Sequence, residues 1–492
     1  MKIIYIDIDS ARADHFGCYG YSRQTTPHID SLAAEGVCFD NFYAADTPCL
    51  PSRTGTFTGC LGIHTGVVNH GGTNADLPVQ GGSRMFRNQW ARDALGQRLR
   101  DAGYYCGSIT PFPQRHSGYQ LWYGFHETFD TGKSGMETAD EVYPYVDRWL
   151  EANAHRERAF LHVNFWDPHD PYNTPLDYGE PFAQDPPPEW LTQKIIDQQR
   201  ASYGYHDPVC PWGGGSYGAG QRFNWIRGCD TIRNRDDWKT WINGYDTGLH
   251  YTDFHVGKMI EKLKELGQWE QTAIVVSADH GEGQGELEVY GDHHTADEAT
   301  NRIPLIVRWP GVTDTAPGKR VGGFFYNVDL SATFVDLAGG EIPERWDGRS
   351  FAAVLRNEDS GAEGRPYLIL QHGAWSVQRA IRWSDYLLIR TYHTGHKNFP
   401  PLMLFDLKND PHETHNLAPD HPELVAEGLL KMDDWVSEHL QKHNRPDPLF
   451  QTIAEGGPYH ARNPRDLCKY LRETGRPHHA DWLEKNGGKP RS

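Results

Sequence analysis

Two carboxylates stand at the end of the first apolar segment of the chain. Asp7 and Asp9 close residues 2–9, a run of branched apolar side chains that predicts a buried strand. Residues two apart on a strand share a face, and Asp9 is the nearer to the carboxyl end. Carboxylates in that position are common ligands for a hard divalent cation. Capping of the following turn by Asp9 is the alternative interpretation.

A cysteine opens the most distinctive motif of the sequence. Cys49 is followed by Leu-Pro-Ser-Arg and then by residues 54–59, which are rich in threonine and glycine. Pro51 predicts the start of a helix, and the free N–H groups of its first turn favour an anion beside position 49. A buried free cysteine that precedes a helix is the simpler alternative.

The motif from Cys49 to Arg53 resembles the modification signature of the sulfatase family, in which the cysteine is oxidised to formylglycine. The resemblance covers residues 1–340 and 404–413, and it implies hydrolysis of a sulfate monoester with S–O cleavage. One hydroxyl of the hydrated aldehyde would attack sulfur, and deprotonation of the other would later expel sulfate. Arg53, one helical turn further on, would hold the hydrate and the bound anion.

The same resemblance implies a metal site formed by Asp9, the modified Cys49, Asp279 and His280. Asp279 and His280 directly follow the apolar segment 272–278, which predicts another buried strand. Ser10 stands where many sulfatases have a second aspartate. A ligand set made mostly of oxygen suits one divalent cation, with Ca²⁺ favoured and Mn²⁺ or Mg²⁺ as alternatives.

Two histidines match positions that act on the substrate in sulfatases. His169 follows the apolar segment 159–166 and matches the histidine that contacts a substrate oxygen. His293 matches a position usually held by lysine or histidine, and it would protonate the leaving alcohol oxygen because imidazole titrates near neutral pH. The chain has 26 histidines, so a surface or capping role is the alternative for each of the two.

One frequent sulfatase motif, GKWHLG, is missing after the predicted strand 104–110. Thr110 stands where its histidine would be, and a hydroxyl at this position is a feature of the related phosphonate monoester hydrolases, so Thr110 is a candidate sulfate contact. Arg115 or His116 would restore the lost positive charge, and His70 falls at another pocket position of that branch. The resemblance therefore leaves hydrolysis of phosphonate monoesters or phosphodiesters open.

Apolar segments of strand length alternate with helical patterns, which predicts a mostly parallel central sheet with its ligand site at the carboxyl ends of the strands. The resemblance implies the alkaline-phosphatase-like form of this α/β fold.

A polar segment, 357–365, predicts the boundary between a catalytic domain, 1–360, and a smaller C-terminal α+β domain, 361–492. Residues 172–222 predict a long insertion near the site. Further predicted strands are 303–308, 367–371 and 380–390, and predicted helices are 27–36, 89–102, 138–152, 238–266, 328–337 and 422–440.

The net charge and the composition of the chain limit the classes of molecule that it is expected to bind. The formal net charge is -18, which disfavours nucleic acid and anionic membranes. No window is apolar over a membrane-spanning length, and the N-terminus lacks a signal-peptide pattern, which predicts a cytoplasmic protein with reduced thiols. The resemblance implies a small-molecule or oligosaccharide sulfate ester as substrate, and a formylglycine-generating or anaerobic sulfatase-maturing enzyme as partner. Assembly into a homo-oligomer stays open.

A protein that binds sulfated glycans without turnover is the alternative from another functional class. It would share the fold and the pocket but would have no use for an aldehyde. Mass spectrometry of the peptide that contains Cys49 separates this alternative from the enzymes.

Overall fold

The computed structural model describes residues 1–78, 88–213, 224, 226–358, 364–461 and 464–490. The strands are β1 (Lys2–Ile8), β2 (Val37–Tyr43), β3 (Asp46–Thr47), β4 (Tyr105–Ile109), β5 (Glu127–Phe129), β6 (Ala159–Phe165), β7 (Thr272–Ala278), β8 (Gly283–Gln284), β9 (Tyr290–Asp292), β10 (Leu305–Arg308), β11 (Lys319–Tyr326), β12 (Tyr367–His372), β13 (Val377–Trp383), β14 (Tyr386–His393) and β15 (Leu402–Asp406). The α-helices are α1 (Pro27–Glu35), α2 (Cys49–Thr58), α3 (Gly62–Thr65), α4 (Gln89–Asp93), α5 (Leu95–Asp101), α6 (Phe112–His116), α7 (Ala139–Asn153), α8 (Gln193–Ala201), α9 (Arg235–Glu265), α10 (Glu298–Asn301), α11 (Asn327–Leu337), α12 (Ala352–Leu355), α13 (Pro422–His443), α14 (Pro448–Ala454), α15 (Arg465–Glu473) and α16 (Pro477–Asn486).

Eight strands form the central sheet, in the order β11-β2-β10-β7-β1-β6-β4-β5. Neighbouring strands are parallel except at β10, which is antiparallel to both β2 and β7. Strands β1, β6 and β7 are buried along their whole length, as their near-continuous apolar sequences require. The predicted α/β class, with a mostly parallel sheet flanked by helices, is confirmed.

The helices form two packed groups beside this sheet. Helices α1 and α7 contact α9, and helices α2 and α5 contact α11. The long helix α9 begins after Asn234, whose side chain accepts hydrogen bonds from the amides of Asp236 and Asp237. Over the described ranges, every helix is too short or too polar to cross a bilayer.

A second sheet has the order β15-β14-β13-β12-β3, and its C-terminal strands are antiparallel. Its fifth strand, β3, comes from the N-terminal part of the chain and pairs in parallel with β12. Because β3 ends two residues before Cys49, the C-terminal sheet directly supports the segment that presents this cysteine. The predicted domain boundary, 360/361, lies outside the described residues.

Several predicted elements differ from the observed strands and helices in their boundaries or number. The predicted strand 380–390 is wrong as a single element, because Ser384 adopts a left-handed φ of 46° and a turn separates β13 from β14. The predicted helix 89–102 is two helices, broken at Ala94, whose ψ of 148° is extended. Strands β2 and β11 were not predicted, since VCFDNFY and KRVGGFFY lack a clear alternation of apolar and polar residues.

Candidate active site

The carboxyl ends of the central strands bring the predicted metal ligands together. Asp9 directly follows β1 and Asp279 directly follows the adjacent strand β7, while Cys49 is the first residue of α2. Ligand atoms of Asp9, Cys49, Asp279 and His280 all lie within 4.8 Å of one another, and all four side chains are buried. The meeting of parallel strand ends at one edge of a sheet is what produces this cluster.

Arg53 links the carboxylates beneath the cluster. Its Nε donates to Oδ2 of Asp7 at 2.8 Å, and its Nη1 donates to Oδ2 of Asp9 at 2.8 Å and to Oδ2 of Asp279 at 2.6 Å. Burial raises the pKa of Asp279 well above its ordinary value, because one guanidinium does not balance three carboxylates. With all three carboxylates ionised, the net charge of this buried, oxygen-rich site is −2, which fits one divalent cation.

The ring of His280 is oriented as a neutral ligand. Its Nδ1 lies 2.7 Å from the carbonyl oxygen of Gly281, which can only accept, so this nitrogen carries the proton. Its Nε2 therefore presents a lone pair, 3.1 Å from Sγ of Cys49 and 3.3 Å from Oδ2 of Asp279. Burial lowers the pKa of His280 to about 4, which keeps the ring neutral at physiological pH.

The unmodified thiol of Cys49 is a poor nucleophile in this environment. Burial, and next the negative charge of Asp9, raise the pKa of Cys49 to about 12. Cysteine acts as nucleophile and metal ligand in its thiolate form, and a thiol with this pKa remains protonated near neutral pH. The geometry thus places residue 49 at the centre of the site, with its sulfur held as the protonated thiol.

His169 is held in a cationic state beside Cys49. Its Nδ1 contacts the carbonyl oxygen of Asp170 and lies 3.0 Å from Oδ1 of the same residue. Its Nε2 lies 4.0 Å from Oδ1 of Asp9. Burial alone would lower the pKa of His169, but Asp170 raises it well above the ordinary value. In its charged form this ring can donate a proton toward residue 49.

His293 has the opposite character. One of its ring nitrogens lies within 4.8 Å of both Sγ of Cys49 and a nitrogen of His280, and its ring centroid is 4.1 Å from that of His280. Burial lowers the pKa of His293 well below its ordinary value, and His280 adds to the shift. The sequence predicts His293 as the proton donor, whereas the protonation states favour His169.

A family model described as "Sulfatase" matches residues 2–340, which is more than half of the chain. The chain belongs to the sulfatase family. A second model, described as "N-sulphoglucosamine sulphohydrolase, C-terminal", matches residues 285–434. The protein is therefore a sulfuric ester hydrolase of the alkaline phosphatase superfamily.

The relatives of this sulfatase are distant in sequence, but each of them matches most of the chain. The ulvan-active sulfatase of Formosa agariphila is 24% identical over 88% of this chain and 80% of that protein. The N-acetylglucosamine-6-O-sulfatase of Bacteroides thetaiotaomicron is 24% identical over 92% of this chain and 89% of that protein. The solved structure of a protein in complex with its substrate, D-glucosamine-2-N,6-O-disulfate, matches this fold with a TM-score of 0.69 at 20% identity. The match covers 91% of this chain and 99% of that chain. The phosphonate monoester hydrolase from Silicibacter pomeroyi has a TM-score of 0.65 at 22% identity, covering 91% and 96%, and these structural matches show the fold alone.

The two polar residues predicted to contact sulfate have partners of their own in this sulfatase. The hydroxyl of Thr110 donates to Oδ1 of Asn164 at 3.0 Å and accepts from the amide of Phe112 at 3.1 Å. Arg115 donates to the carbonyl oxygen of Ser134 at 3.2 Å, and its guanidinium lies 4.9 Å from the centre of the Trp166 ring. Roles for Thr110 and Arg115 in sulfate binding therefore stay predictions.

The C-terminal tail of the sulfatase supplies side chains that the motifs did not reveal. Nδ1 of His70 lies 3.0 Å from Nε2 of His460, and the ring of His116 lies 4.5 Å from that of His70. Trp375 stacks on His460 at 4.5 Å. Burial lowers the pKa of His70 well below its ordinary value and that of His460 to about 4, so both rings are neutral. In the sequence, the only indication of the contact between His70 and His460 was that the C-terminal tail is rich in histidine.

Proposed function

We propose that this sulfatase hydrolyses carbohydrate sulfate monoesters through a formylglycine made from Cys49, with one divalent cation held by Asp9, residue 49, Asp279 and His280. The buried cluster of these four side chains is the observation that carries the proposal. The pKa of Cys49, about 12, supports conversion of the thiol, because the cysteine itself would be inert there.

Different residues of the chain would have different roles around the sulfate group. When bound, the cation would supply Lewis acidity toward a sulfate oxygen, and the hydrated formylglycine would supply the nucleophilic hydroxyl. Arg53 keeps Asp9 and Asp279 in place, and its Nη2 is buried without a partner among the described residues, free to donate to an anion. The charged His169 would protonate the leaving oxygen, and the neutral His280 would keep its lone pair toward the cation.

The carbohydrate part of the proposal depends on the surroundings of the cluster and on the relatives. His70 and His460 are neutral, and neutral imidazoles suit hydrogen bonding to sugar hydroxyls better than binding of a second anion. Nε2 of His70 is buried and has no partner in the described part of the chain. Relatives named for ulvan and for N-acetylglucosamine 6-O-sulfate support the same substrate class.

Hydrolysis of phosphonate monoesters or phosphodiesters is the second candidate, favoured by a hydroxyl at Thr110 where many sulfatases have histidine. The test combines mass spectrometry of the Cys49 peptide with rates on sulfated mono- and disaccharides, aryl sulfates, phosphonate monoesters and phosphodiesters. The proposal expects an aldehyde at residue 49 and the highest kcat/KM on a sugar sulfate. A higher kcat/KM on a phosphonate would establish the second candidate, and an aldehyde-free, inactive protein that binds sulfated glycans would establish a binding role.

A further inference from the structure

A second buried cluster lies beside the candidate active site and has no part in the proposed function. It consists of His206, Asp292 and His294, and we call it the second triad. Nε2 of His206 lies 3.0 Å from Oδ2 of Asp292, and Nε2 of His294 lies 3.2 Å from the same oxygen. The three ligand atoms all lie within 4.8 Å of one another, and each of these side chains is at least 93% buried.

The hydrogen bonding of His206 leaves a lone pair facing a carboxylate. Its Nδ1 lies 3.2 Å from the carbonyl oxygen of Tyr290, which only accepts, so the ring proton belongs on Nδ1. In a neutral ring Nε2 then has no proton, yet it lies 3.0 Å from Oδ2 of Asp292. Unless a second proton makes the ring an imidazolium, two lone pairs at this distance require a metal cation between or beside them.

His294 points to the same conclusion independently. Although its Nε2 lies 3.2 Å from Oδ2 of Asp292, it lacks hydrogen-bond geometry and has no other partner within the described ranges. A buried ring nitrogen that faces a carboxylate without hydrogen-bond geometry is oriented as a metal ligand is.

The distances from the two ring nitrogens to Oδ2 of Asp292 also fit a metal. In a tetrahedral zinc site, with bonds of about 2.0–2.1 Å, neighbouring ligand atoms lie about 3.3–3.4 Å apart. The observed separations of 3.0 and 3.2 Å differ from this by a few tenths of an ångström. Two imidazoles and one carboxylate form a borderline ligand set that suits zinc better than calcium.

We propose that His206, Asp292 and His294 bind a second divalent metal ion, of the zinc class, distinct from the cation at Asp9. His206 belongs to the long segment inserted after β6, whereas Asp292 and His294 flank His293. The ion would therefore fasten this segment to the loop that presents His293 to residue 49. This role is one of positioning, and it does not depend on which sulfate ester is the substrate.

The alternative is that protons occupy the triad and that His206 is a charged imidazolium paired with Asp292. Lys397 lies close enough to lower the pKa of His294, and Asp292 in turn raises the pKa of Lys397. The Lys397 ammonium donates hydrogen bonds to the carbonyl oxygens of Tyr205 and Glu288. A nearby ammonium disfavours a second cation, so metal content and not activity must decide between the two states.

The experiment measures metals in the full-length protein after exposure to zinc and calcium and dialysis against metal-free buffer. Wild type should retain one zinc ion per chain in addition to the cation of the first site. His206→Gln and His294→Gln should each lose the zinc and keep the other ion, whereas Asp279→Asn should keep the zinc. His255→Gln, at a buried histidine whose Nδ1 lies 2.9 Å from the carbonyl oxygen of Tyr251, is the control and should keep both ions.

A zinc-free wild type, or zinc retained in His206→Gln, would overturn the proposal. If the variants fail to fold, cobalt provides a second measurement on intact chains. Co²⁺ bound by wild type and by Asp279→Asn should give the visible absorption bands of a four-coordinate nitrogen and oxygen site, and zinc should displace them. Absence of these bands in both proteins would exclude the second site.

Discussion

Nε2 of His280 lies 3.1 Å from the sulfur of Cys49, with its lone pair toward that residue because the other ring nitrogen donates to Gly281. This contact joins the end of β7 to the first residue of α2, two elements more than 200 residues apart in sequence. It places a neutral imidazole, the proposed metal ligand, directly against the proposed nucleophile.

Cys49→Ala should abolish sulfatase turnover and leave the fold intact. The substitution removes one buried sulfur, which should lower the free energy of unfolding by about 1 kcal/mol, since larger core truncations cost 2–5. Circular dichroism and thermal unfolding check the fold, and a sulfated sugar checks turnover. Cys49→Ser, expressed in a host that cannot oxidise it, should also be nearly inactive; substantial activity in either variant would mean that residue 49 is not the nucleophile.

Arg53→Met should destabilise the metal-free protein far more than the metal-loaded one. Without the guanidinium, Asp7, Asp9 and Asp279 remain buried and lose their shared cationic partner, which should lower the free energy of unfolding by about 3–5 kcal/mol in the presence of a chelator. Excess Ca²⁺ should restore part of this loss because it neutralises the same carboxylates.

The matched control for Arg53→Met is Arg320→Met, which breaks a surface ion pair with Asp40. The Arg320 side chain is 45% exposed, so its loss should cost less than about 1 kcal/mol with or without metal. Chemical denaturation in chelator and in Ca²⁺ provides the comparison. An Arg53 variant as stable as the control in chelator would show that the carboxylates do not need this guanidinium.

Metal binding should release a proton from Asp279. Burial raises the pKa of this carboxyl well above its ordinary value in the metal-free protein, so it keeps a proton where a free aspartate is ionised. The cation needs the ionised form, and metal affinity should therefore rise with pH until Asp279 is ionised without metal. Calorimetric titration with Ca²⁺ over a range of pH, in buffers of different ionisation enthalpy, measures the released protons.

Asp9 gives the contrast within the same site. Arg53 overcomes the effect of burial and holds the pKa of Asp9 below its ordinary value, so this residue is already ionised. Asp9→Asn and Asp279→Asn should both bind less metal, but only Asp279→Asn should lose the proton release. Full metal content in either variant would remove that residue from the ligand set.

The two histidines should differ in their dependence on the leaving group. A sugar oxygen leaves as a strongly basic alkoxide and needs a proton, whereas a nitrophenolate scarcely does. General acid catalysis contributes about 10²–10⁴-fold, so His169→Ala should lose this much on sugar sulfates and far less on activated aryl sulfates. His293→Ala should reduce both rates alike. The reverse pattern of losses would make His293 the acid, as its sequence position predicts.

The residues that the sequence identified are those whose positions depend on local structure. Asp9 and Asp279 each end an apolar strand, and parallel strand ends must meet at one edge of the sheet. Cys49 lies in a motif of adjacent residues, and Pro51 correctly predicts a helix start there. Periodicity and order along the chain suffice to place the strand ends and the helix start, because each depends on neighbours within a few residues, whereas the roles of Cys49 and Asp279 came from the resemblance to sulfatases.

Tertiary structure alone decided the rest, because the determining contacts join residues that are far apart in sequence. The pairing of β3 with β12, which supports Cys49 from the C-terminal sheet, has no signal in a two-residue strand. The contact between His70 and His460 spans 390 residues. The charge of each histidine depends on burial and on the carboxylates packed against it, which is why His169 is charged and His293 is neutral although their residue types are identical.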